Sequence, residues 1–367
     1  MKATCPREGL LSACQIAGAA VAARDVKPIL SNIKAIANKS GCTLLATDLE
    51  LGIRLEVRSV KVEEAGDAIL PAARLIAILR EATDEELVIE ANSDAAVVRG
   101  QFNEFEMPSE NPGDFPDVPS FGDDKYHELP AGPLRDMIKR TVFAAARDST
   151  RWAVNGVLWE IAGGQVKLIA TDSRRLAMAS GTGTSHGAGD TKGHAHIVPT
   201  KAMTLLERLL QDAGESVKIA LRPNEALFQT ERATLVTRLV EGRFPPYQEL
   251  LGKKLPVKIP LDANRFHSAV RQANIMAGDE SKRVGFKFAK NKLLLEAHGH
   301  DTGRAKVEMP LEYEGKELTI NFDAGFLIEM LRILPSDAAL TLEMLDANTP
   351  AVFKSGPDYV YLVMPLT

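Results

Sequence analysis

The sequence has few cysteines and no long hydrophobic run. Its three cysteines, Cys5, Cys14 and Cys42, are odd in number, lie near the start of 367 residues and form no CxxC pair. This pattern argues against a disulfide framework and against a cysteine-based zinc or redox site, and it indicates free thiols. No apolar segment approaches the ~20 residues that span a bilayer, and the first residues lack the apolar core of a signal peptide. We therefore expect a cytoplasmic protein without membrane contact.

Glycine and proline are not enriched, which excludes fibrous and low-complexity chains. The sequence contains 27 Gly and 20 Pro, and it is 45% hydrophobic and 25% charged. These values are typical of folded globular proteins and far from those of disordered chains. At roughly 150 residues per domain, the chain has room for two to three domains, each with its own core.

Basic residues are in slight deficit, but they are distributed unevenly. The net charge is −5, with 13 basic against 21 acidic residues in 1–125, 18 against 13 in 126–254 and 13 against 15 in 255–367. A restricted basic face on an acidic protein can hold a polyanion weakly without sticking to it everywhere. Chance variation between domains explains the same numbers, so charge alone leaves a nucleic-acid partner open.

A threefold internal repeat is the most informative feature. Amphipathic helices are predicted to start near Leu10, Leu134 and Phe266, which are 124 and then 132 positions apart. A strand-turn-strand unit follows each of the first two helices, and its Thr47 and Thr171 are again separated by 124 residues. Self-similarity at so long a period indicates tandem copies of one domain.

The second half of each copy repeats as well. A strand leads into a second helix near Pro71, Pro199 and Asp323, and proline at the first turn of a helix costs no hydrogen bond. Phe115-Pro116 closes the first copy as Phe244-Pro245 closes the second. The sequence therefore predicts an α+β fold of three tandem copies, each with two helices packed on antiparallel sheet, with domains 1–125, 126–254 and 255–367.

Tandem domains of this size need a geometric reason to exist. A head-to-tail contact repeated at a fixed rotation closes into a ring or makes a filament. The helices of the middle copy carry Arg135, Lys139 and Lys201, which could line a hole that holds DNA. The same residues also fit ordinary solvated helix faces, so both interpretations remain.

At this point the motifs resemble a known family, the bacterial DNA polymerase III beta subunit or sliding clamp. The resemblance covers essentially the whole chain, and it rests on the order and spacing of several stretches rather than on any one of them. They are Lys27–Leu30, Ala46–Glu50, Ala170–Asp172, Arg175–Ala177, Glu241–Pro245 and Val363–Leu366. The resemblance implies a head-to-tail homodimer of three-domain protomers, a six-domain ring that encircles duplex DNA and tethers the polymerase. It implies no catalysis, cofactor or metal, and a cytoplasmic protein that joins the nucleoid during replication.

The resemblance also assigns residues to sequence-independent contact with double-stranded DNA. Arg24, Arg151 and Trp152 match family contact positions, as does Lys201. Arginine pairs with phosphate, and an indole ring offers a stacking face for unpaired bases. Ala153 stands where a relative has a second aromatic residue, so stacking is expected to be weaker.

Two protein contacts follow from the same resemblance. The family binds short peptides of the replicative polymerase, the clamp loader and other partners in an apolar cleft. The matching residues are Val154, Thr171, Arg175, Leu176, Pro245, Leu250, Leu362, Met364 and Pro365. For closure of the homodimer, they are Phe105, Ile275, Met276, Arg74 and Arg99.

Other functions were weighed against this interpretation. Asp48 and Asp172 could be a paired-carboxylate hydrolase site, but they occupy equivalent turns of two repeats, where capping of backbone amides is the simpler role. His194 with His196, and His298 with His300, could hold a metal ion but lack evident carboxylate partners. The glycine-rich segment 181–193 has Thr-Lys-Gly instead of a phosphate-binding Gly-Lys-Thr/Ser. A scaffold outside replication, built on the same repeats, also remains.

Overall fold

The structure is a computed structural model that describes residues 1–22, 27–92, 94–147, 153–191, 195–252, 254–278, 282–299 and 303–366. Arg24, Arg151, Trp152, His194 and His300 lie outside the described residues. The described residues form α-helices and antiparallel sheets, so the predicted α+β class is confirmed. No helix among them is long and apolar enough to cross a membrane.

The described part of the first repeat has two α-helices and nine strands. In chain order they are β1 (Lys2–Pro6), α1 (Arg7–Ala17), β2 (Asn32–Asn38), β3 (Gly41–Thr47), β4 (Leu51–Val57), β5 (Lys61–Glu64), β6 (Gly66–Pro71), α2 (Ala72–Glu81), β7 (Glu86–Ala91), β8 (Ala95–Arg99) and β9 (Glu104–Pro108). Helix α2 begins directly after Pro71, as the sequence predicts.

The second repeat follows the same order. Its elements are β10 (Tyr126–Pro130), α3 (Ala131–Thr141), β11 (Gly156–Ala162), β12 (Gln165–Thr171), β13 (Arg175–Thr182), β14 (Thr184–His186), β15 (His196–Pro199), α4 (Thr200–Leu209), β16 (Ser216–Leu221), β17 (Glu225–Gln229) and β18 (Ala233–Arg238). Helix α3 and strands β11 and β12 have the same lengths as α1, β2 and β3, and each begins 124 residues later. The repeat seen in the sequence is therefore a repeat of whole elements.

The third repeat begins after a short helical turn, α5 (Gln248–Leu251). Its elements are β19 (Val257–Asp262), α6 (Ala263–Asn274), β20 (Arg283–Ala289), β21 (Lys292–Gly299), β22 (Gly303–Pro310), β23 (Leu318–Asp323), α7 (Ala324–Ile333), β24 (Ala339–Met344), β25 (Ala351–Ser355) and β26 (Tyr359–Val363). Two aspartates cap its helices: Asp262 accepts the Arg265 amide hydrogen bond and Asp323 that of Gly325, both at 2.9 Å.

The chain forms two compact units that cut across the repeats. The first comprises 1–133, 183–189 and 201–239, and the second comprises 134–182, 190–200 and 240–367. The reason is strand pairing between successive repeats. In the first unit, β18 pairs with β4 inside a nine-stranded sheet, β14-β10-β16-β17-β18-β4-β3-β2-β6. In the second unit, β26 pairs with β13 inside an eight-stranded sheet, β15-β11-β12-β13-β26-β25-β24-β19.

Each unit holds one further sheet that belongs to a single repeat. The first unit has β5-β1-β7-β8-β9, and the second has β22-β21-β20-β23. In the third repeat, Phe266 of α6 packs against Phe286 and Phe353, with ring centroids 6.1 and 6.0 Å away. Because these rings are fully buried, they fix the helix on its sheets.

The three cysteines lie in the core of the first repeat as free thiols, as the sequence predicts. Burial raises the pKa of Cys5 to about 12, with a further contribution from the neighbouring Cys42, and burial raises the pKa of Cys42 to about 11. The pKa of Cys14 is raised as well, first by burial. Thiols held in the protonated form are poor nucleophiles and poor metal ligands, so these residues serve packing.

Candidate functional site

The second unit contains an apolar cavity of about 330 Å³ where three chain segments meet. The end of β12 and the start of β13 form one side, the segment 245–250 forms another, and the last residues after β26 form the third. The lining residues are Thr171, Ser173, Arg174, Arg175, Leu176, Pro245, Pro246, Tyr247, Glu249, Leu250, Leu362 and Met364. Segments almost 190 positions apart in the chain thus build one site.

Pairing of β13 with β26 sets the apolar walls. Leu176 lies opposite Leu362 in the antiparallel register, and both are buried. The chain continues along the corner after β26, because the Met364 amide donates to the Arg174 carbonyl oxygen at 2.8 Å. Met364 is 37% exposed, so an apolar side chain stands open to solvent at the cavity mouth. A surface of this kind suits an apolar group of a ligand.

Seven of the nine predicted peptide-binding residues line this cavity: Thr171, Arg175, Leu176, Pro245, Leu250, Leu362 and Met364. Val154 and Pro365, although both are described, are not among its lining residues. Val154 is buried instead, and its carbonyl oxygen accepts a hydrogen bond from the Ala146 amide. The cavity is also lined by Ser173, Pro246 and Tyr247, which were not predicted, although Pro246 and Tyr247 belong to the Phe-Pro-Pro-Tyr element that closes the second repeat.

Arg175 lies at the junction of two repeats and not free at the cleft surface. Its side chain is 8% exposed, and its Nε donates to Asp172 Oδ2 at 3.0 Å. One terminal nitrogen donates to Glu329 of α7, and the other donates to the Phe143 carbonyl oxygen at 2.9 Å. The guanidinium carbon lies 4.4 Å from the centroid of the Phe326 ring. Arg175 therefore ties the second repeat to helix α7 of the third.

The charge of Arg175 is secured by its surroundings. Burial alone would lower its pKa, but Tyr361, Glu329 and Asp172 together raise the pKa of Arg175 above its ordinary value. The Tyr361 hydroxyl donates to the Phe326 carbonyl oxygen at 2.9 Å, so the Tyr361 side chain also holds helix α7 in place. The cation consequently stays in place over the whole range of physiological pH.

A second tyrosine fixes the opposite wall. Tyr247 is 4% exposed, and its hydroxyl donates to Glu160 Oε2 at 2.8 Å. Burial and the Glu160 carboxylate raise the pKa of Tyr247 well above its ordinary value, so the phenol stays protonated. The turn that carries Pro245 and Pro246 into the cleft is thus anchored to β11.

The corners before β4 and β13 have the same structure. The Thr47 hydroxyl donates to the Leu51 carbonyl oxygen at 2.9 Å and accepts from the Leu49 amide at 3.0 Å. Thr171 makes the equivalent bonds to Arg175 and Ser173. Leu49 and Ser173 both have a φ near +75°, an uncommon conformation that the flanking hydrogen bonds hold.

The corner aspartates cap backbone amides, as the simpler interpretation predicts. Asp48 Oδ1 accepts from the amides of Glu50 and Leu51, at 3.0 and 2.7 Å. Asp172 Oδ1 accepts from Arg174 and Arg175, both at 3.0 Å. Each carboxylate uses its other oxygen for a cation, which is Lys201 at 2.6 Å for Asp48. Both groups therefore have a structural use that needs no hydrolase chemistry.

The two equivalent corners differ in the residue that follows them. Gly52 occupies the position equivalent to Leu176, 124 residues earlier. A Cβ at Gly52 would lie 3.0 Å from Val118 Cγ1 and 3.0 Å from Val236 Cγ1. No side chain fits there without displacing a valine, whereas Leu176 lines an open cavity.

The predicted DNA contacts are only partly described. Arg24, Arg151 and Trp152 lie outside the described residues. Arg135 and Lys139 are partly buried and one turn apart on α3, so they share a helix face. Lys201, at the start of α4, is 47% exposed and paired with Asp48.

The predicted dimer residues belong to the first and third repeats. Phe105 of β9 is 37% exposed and Ile275 after α6 is 70% exposed, next to the partly buried Met276. Arg74 is exposed on α2. Arg99 pairs with Glu90 and Glu104 of its own repeat, both at 2.5 Å, so acids from elsewhere are not needed to neutralise it.

Strands β9 and β22 each have a strand neighbour on one side only, within the described part of the chain. Most of their side chains are exposed. Each therefore presents a row of unused backbone donors and acceptors that another strand can pair with. Among the described residues, no group of three or more His, Cys, Asp or Glu side chains could hold a metal ion.

Comparison with known proteins identifies the fold. Residues 1–119, 128–246 and 248–367 match the N-terminal, central and C-terminal domains of the DNA polymerase III beta subunit. The beta sliding clamp of Pseudomonas putida is 28% identical over 369 residues, which span all of both chains. The beta sliding clamp of Proteus mirabilis is 26% identical over 377 residues, again at full coverage.

Solved structures agree with this match. A DnaN sliding clamp from Pseudomonas aeruginosa bound to griselimycin has a TM-score of 0.91 at 26% identity, covering 100% of this chain and 99% of that chain. Another structure of the Pseudomonas aeruginosa beta subunit has a TM-score of 0.89 at 27% identity over the full length of both. The fold is thus an α+β series of three tandem clamp domains. The chain belongs to the DNA polymerase III beta subunit family of sliding clamps.

Proposed function

We propose that the protein is a non-catalytic processivity factor: a homodimeric ring of six domains that encircles duplex DNA, slides on it and tethers the replicative polymerase. Family membership and three tandem clamp domains support this proposal. Domain boundaries at 125/126 and 254/255 belong to the same proposal. Tethering by a closed ring needs no reacting group and no cofactor.

The strand pairing between successive repeats is the observation that supports the proposed ring. Successive repeats join where β4 pairs with β18 and where β13 pairs with β26. By position in the repeat, β22 is the equivalent of β4 and β13, and β9 is the equivalent of β18 and β26. Unlike these equivalents, which are paired on both sides, β22 and β9 each lie at the edge of a sheet within the described part of the chain. If β22 of one protomer pairs with β9 of its partner, the contact already used twice within the chain is used again between chains, and the assembly closes.

DNA contact in such a ring is expected to be weak and independent of sequence. Phosphate contacts position a protein without reading bases, and topological linkage supplies the residence time. The residues proposed for this contact are Arg24, Arg135, Lys139, Arg151, Trp152 and Lys201. A net charge of −5 is compatible with this role because only the lining has to be basic.

Retention on DNA tests encirclement directly. After loading by a compatible clamp loader, we expect the protein to remain on nicked circular plasmid and to leave the same plasmid after linearisation. Sliding off the ends is possible only for a ring that binds the backbone loosely. Gel filtration of the DNA-bound fraction before and after one restriction cut measures the difference. Equal retention on both forms would show that direct contact, and not encirclement, holds the protein.

We further propose that the cavity at the β13–β26 junction binds short apolar peptides of the polymerase, the clamp loader and other partners. The open Met364 side chain and the buried pair Leu176 and Leu362 supply its apolar surface. Burial of two large apolar side chains contributes about 3–6 kcal/mol before ordering costs, which by itself corresponds to dissociation constants from roughly 6 mM down to roughly 40 μM.

Shortening the wall of this cleft is expected to weaken peptide binding in steps. Met364→Ala should raise the dissociation constant of a polymerase-derived peptide about fivefold, since it removes roughly 1 kcal/mol of apolar contact. Removal of residues 364–367 should abolish detectable binding while β26 keeps its pairing with β13. Isothermal titration calorimetry measures both effects. Leu345→Ala is the matched control, because Leu345 is 46% exposed and is not among the residues lining the cavity. Unchanged affinity in the truncated protein would place the peptide site elsewhere.

A further inference from the structure

The ion pair between Lys201 and Asp48 joins the first two repeats on a surface proposed to face DNA. Lys201 lies in the first turn of α4, and its Nζ is 2.6 Å from Asp48 Oδ2. The lysine side chain is 47% exposed and the aspartate side chain 19% exposed. Exposed pairs of this kind are weak enough to exchange with another anion.

Asp48 is a rigid partner in this pair. Its Oδ1 is fixed by the amides of Glu50 and Leu51, so Oδ2 has a set position toward Lys201. The lysine has four rotatable bonds and can move, whereas the carboxylate cannot follow it. The equivalent Asp172 also caps an amide with Oδ1, and its Oδ2 pairs with Arg175 of the same corner. In both corners one oxygen of the aspartate thus caps amides while the other holds a cation.

We infer that Asp48 is a positioning residue for DNA contact. Its carboxylate competes with the phosphate groups of DNA for Lys201. This inference rests on the proposed function, and it concerns the same surface. While Lys201 is paired with Asp48, it neutralises no phosphate. When Lys201 moves to a phosphate, its ion pair with Asp48 is broken. The competition makes the contact short-lived, which a sliding protein needs. It also lowers the number of phosphates that the protein neutralises on average.

Asp48→Asn tests the competition, because it removes the charge and retains an oxygen that can cap the corner amides. We expect tighter binding to a fluorescent duplex of random sequence, about three- to tenfold at low salt. The plot of log affinity against log salt concentration should become steeper by roughly one unit, the value for one more phosphate contact. Fluorescence anisotropy over a series of salt concentrations gives both numbers, and circular dichroism confirms that the variant is folded. Asp48→Ser, which can also cap the corner, is the second variant.

Two controls separate specific competition from a general change of charge. Glu50→Gln removes one negative charge two residues away, from a carboxylate that pairs with Arg238 at 3.5 Å and not with Lys201. In a Lys201→Met background, Asp48→Asn should have no larger effect than Glu50→Gln. The coupling between residues 48 and 201 in this double-mutant cycle is the quantity that the inference predicts.

Each outcome decides the matter. An equal gain from Asp48→Asn with and without Lys201 would overturn the inference and leave the proposed function intact, as would no gain in the wild-type background. Failure of the wild-type protein to distinguish circular from linear DNA would overturn the proposed function, and the inference with it.

Discussion

Phe105→Asp and Ile275→Asp are each expected to convert the proposed dimer into folded monomers. By symmetry, one substitution alters both contacts of a two-protomer ring. Each places a carboxylate in a contact proposed to be apolar, and an unpaired buried charge costs several kcal/mol per site. Sedimentation velocity over a range of protein concentrations should show a dissociation constant raised at least a hundredfold. Both residues are exposed in the single chain, so folding should be unaffected.

Leu345→Asp is the control for this experiment. Leu345 is 46% exposed and follows β24, in a sheet whose edges are not β9 or β22. The same change of charge and polarity there should leave the dimer intact. A dimer of unchanged affinity in Phe105→Asp would remove β9 from the interface. Since Arg99 is already paired with Glu90 and Glu104, dimer affinity should also depend little on salt.

Arg175→Ala is expected to have the largest effect on stability among single substitutions at the cleft. It leaves Asp172 and Glu329 without their cation, and it empties the space beside the Phe326 ring. Breaking such a partly buried network costs about 2–4 kcal/mol in free energy of unfolding, with some reduction because Glu329 is half exposed. The midpoint of urea unfolding, followed by circular dichroism, should fall accordingly.

Arg175→Lys and Arg174→Ala sharpen this test. The lysine keeps the charge but cannot donate to two carboxylates and the Phe143 carbonyl oxygen at once, so an intermediate loss is expected. Arg174 is exposed and lines the same cavity, and its replacement should alter peptide affinity with little change in stability. If Arg175→Ala lowered peptide affinity alone, Arg175 would be a ligand-contacting residue and not a link between repeats.

Much of this fold was predictable because similar segments recur at a regular spacing in the sequence. The 124-residue spacing of Thr47 and Thr171 marks two corners with the same hydrogen bonds. Alternating apolar residues indicated strands, and a proline near a helix start indicated where the helix begins, because both patterns depend only on neighbouring residues. Local chemistry of this kind needs no knowledge of distant contacts.

The roles of individual charges could not be read in the same way. Arg175 meets Glu329 across 154 residues, and Lys201 meets Asp48 across 153. No local pattern marks such partners, since they depend on how the repeats pack. The resemblance assigned Val154 and Pro365 to the cleft, but neither is among the residues that line the cavity, and Val154 is buried. The resemblance could indicate which positions matter, but not what each side chain touches.

Gly52 bears on how many peptide-binding clefts the proposed ring would offer. Because Val118 and Val236 fill the space at the first corner, that corner cannot offer the opening that Leu176 lines at the second. If the cleft binds peptides as proposed, these two corners of one chain would present one docking position instead of two, and the proposed closed pair of chains would present two at these corners. Two different partners could then be held on one length of DNA at the same time, each at a local concentration that a tether raises to about the millimolar range. The two partners could then exchange places on the DNA while both stay bound to the same ring, without either returning to solution.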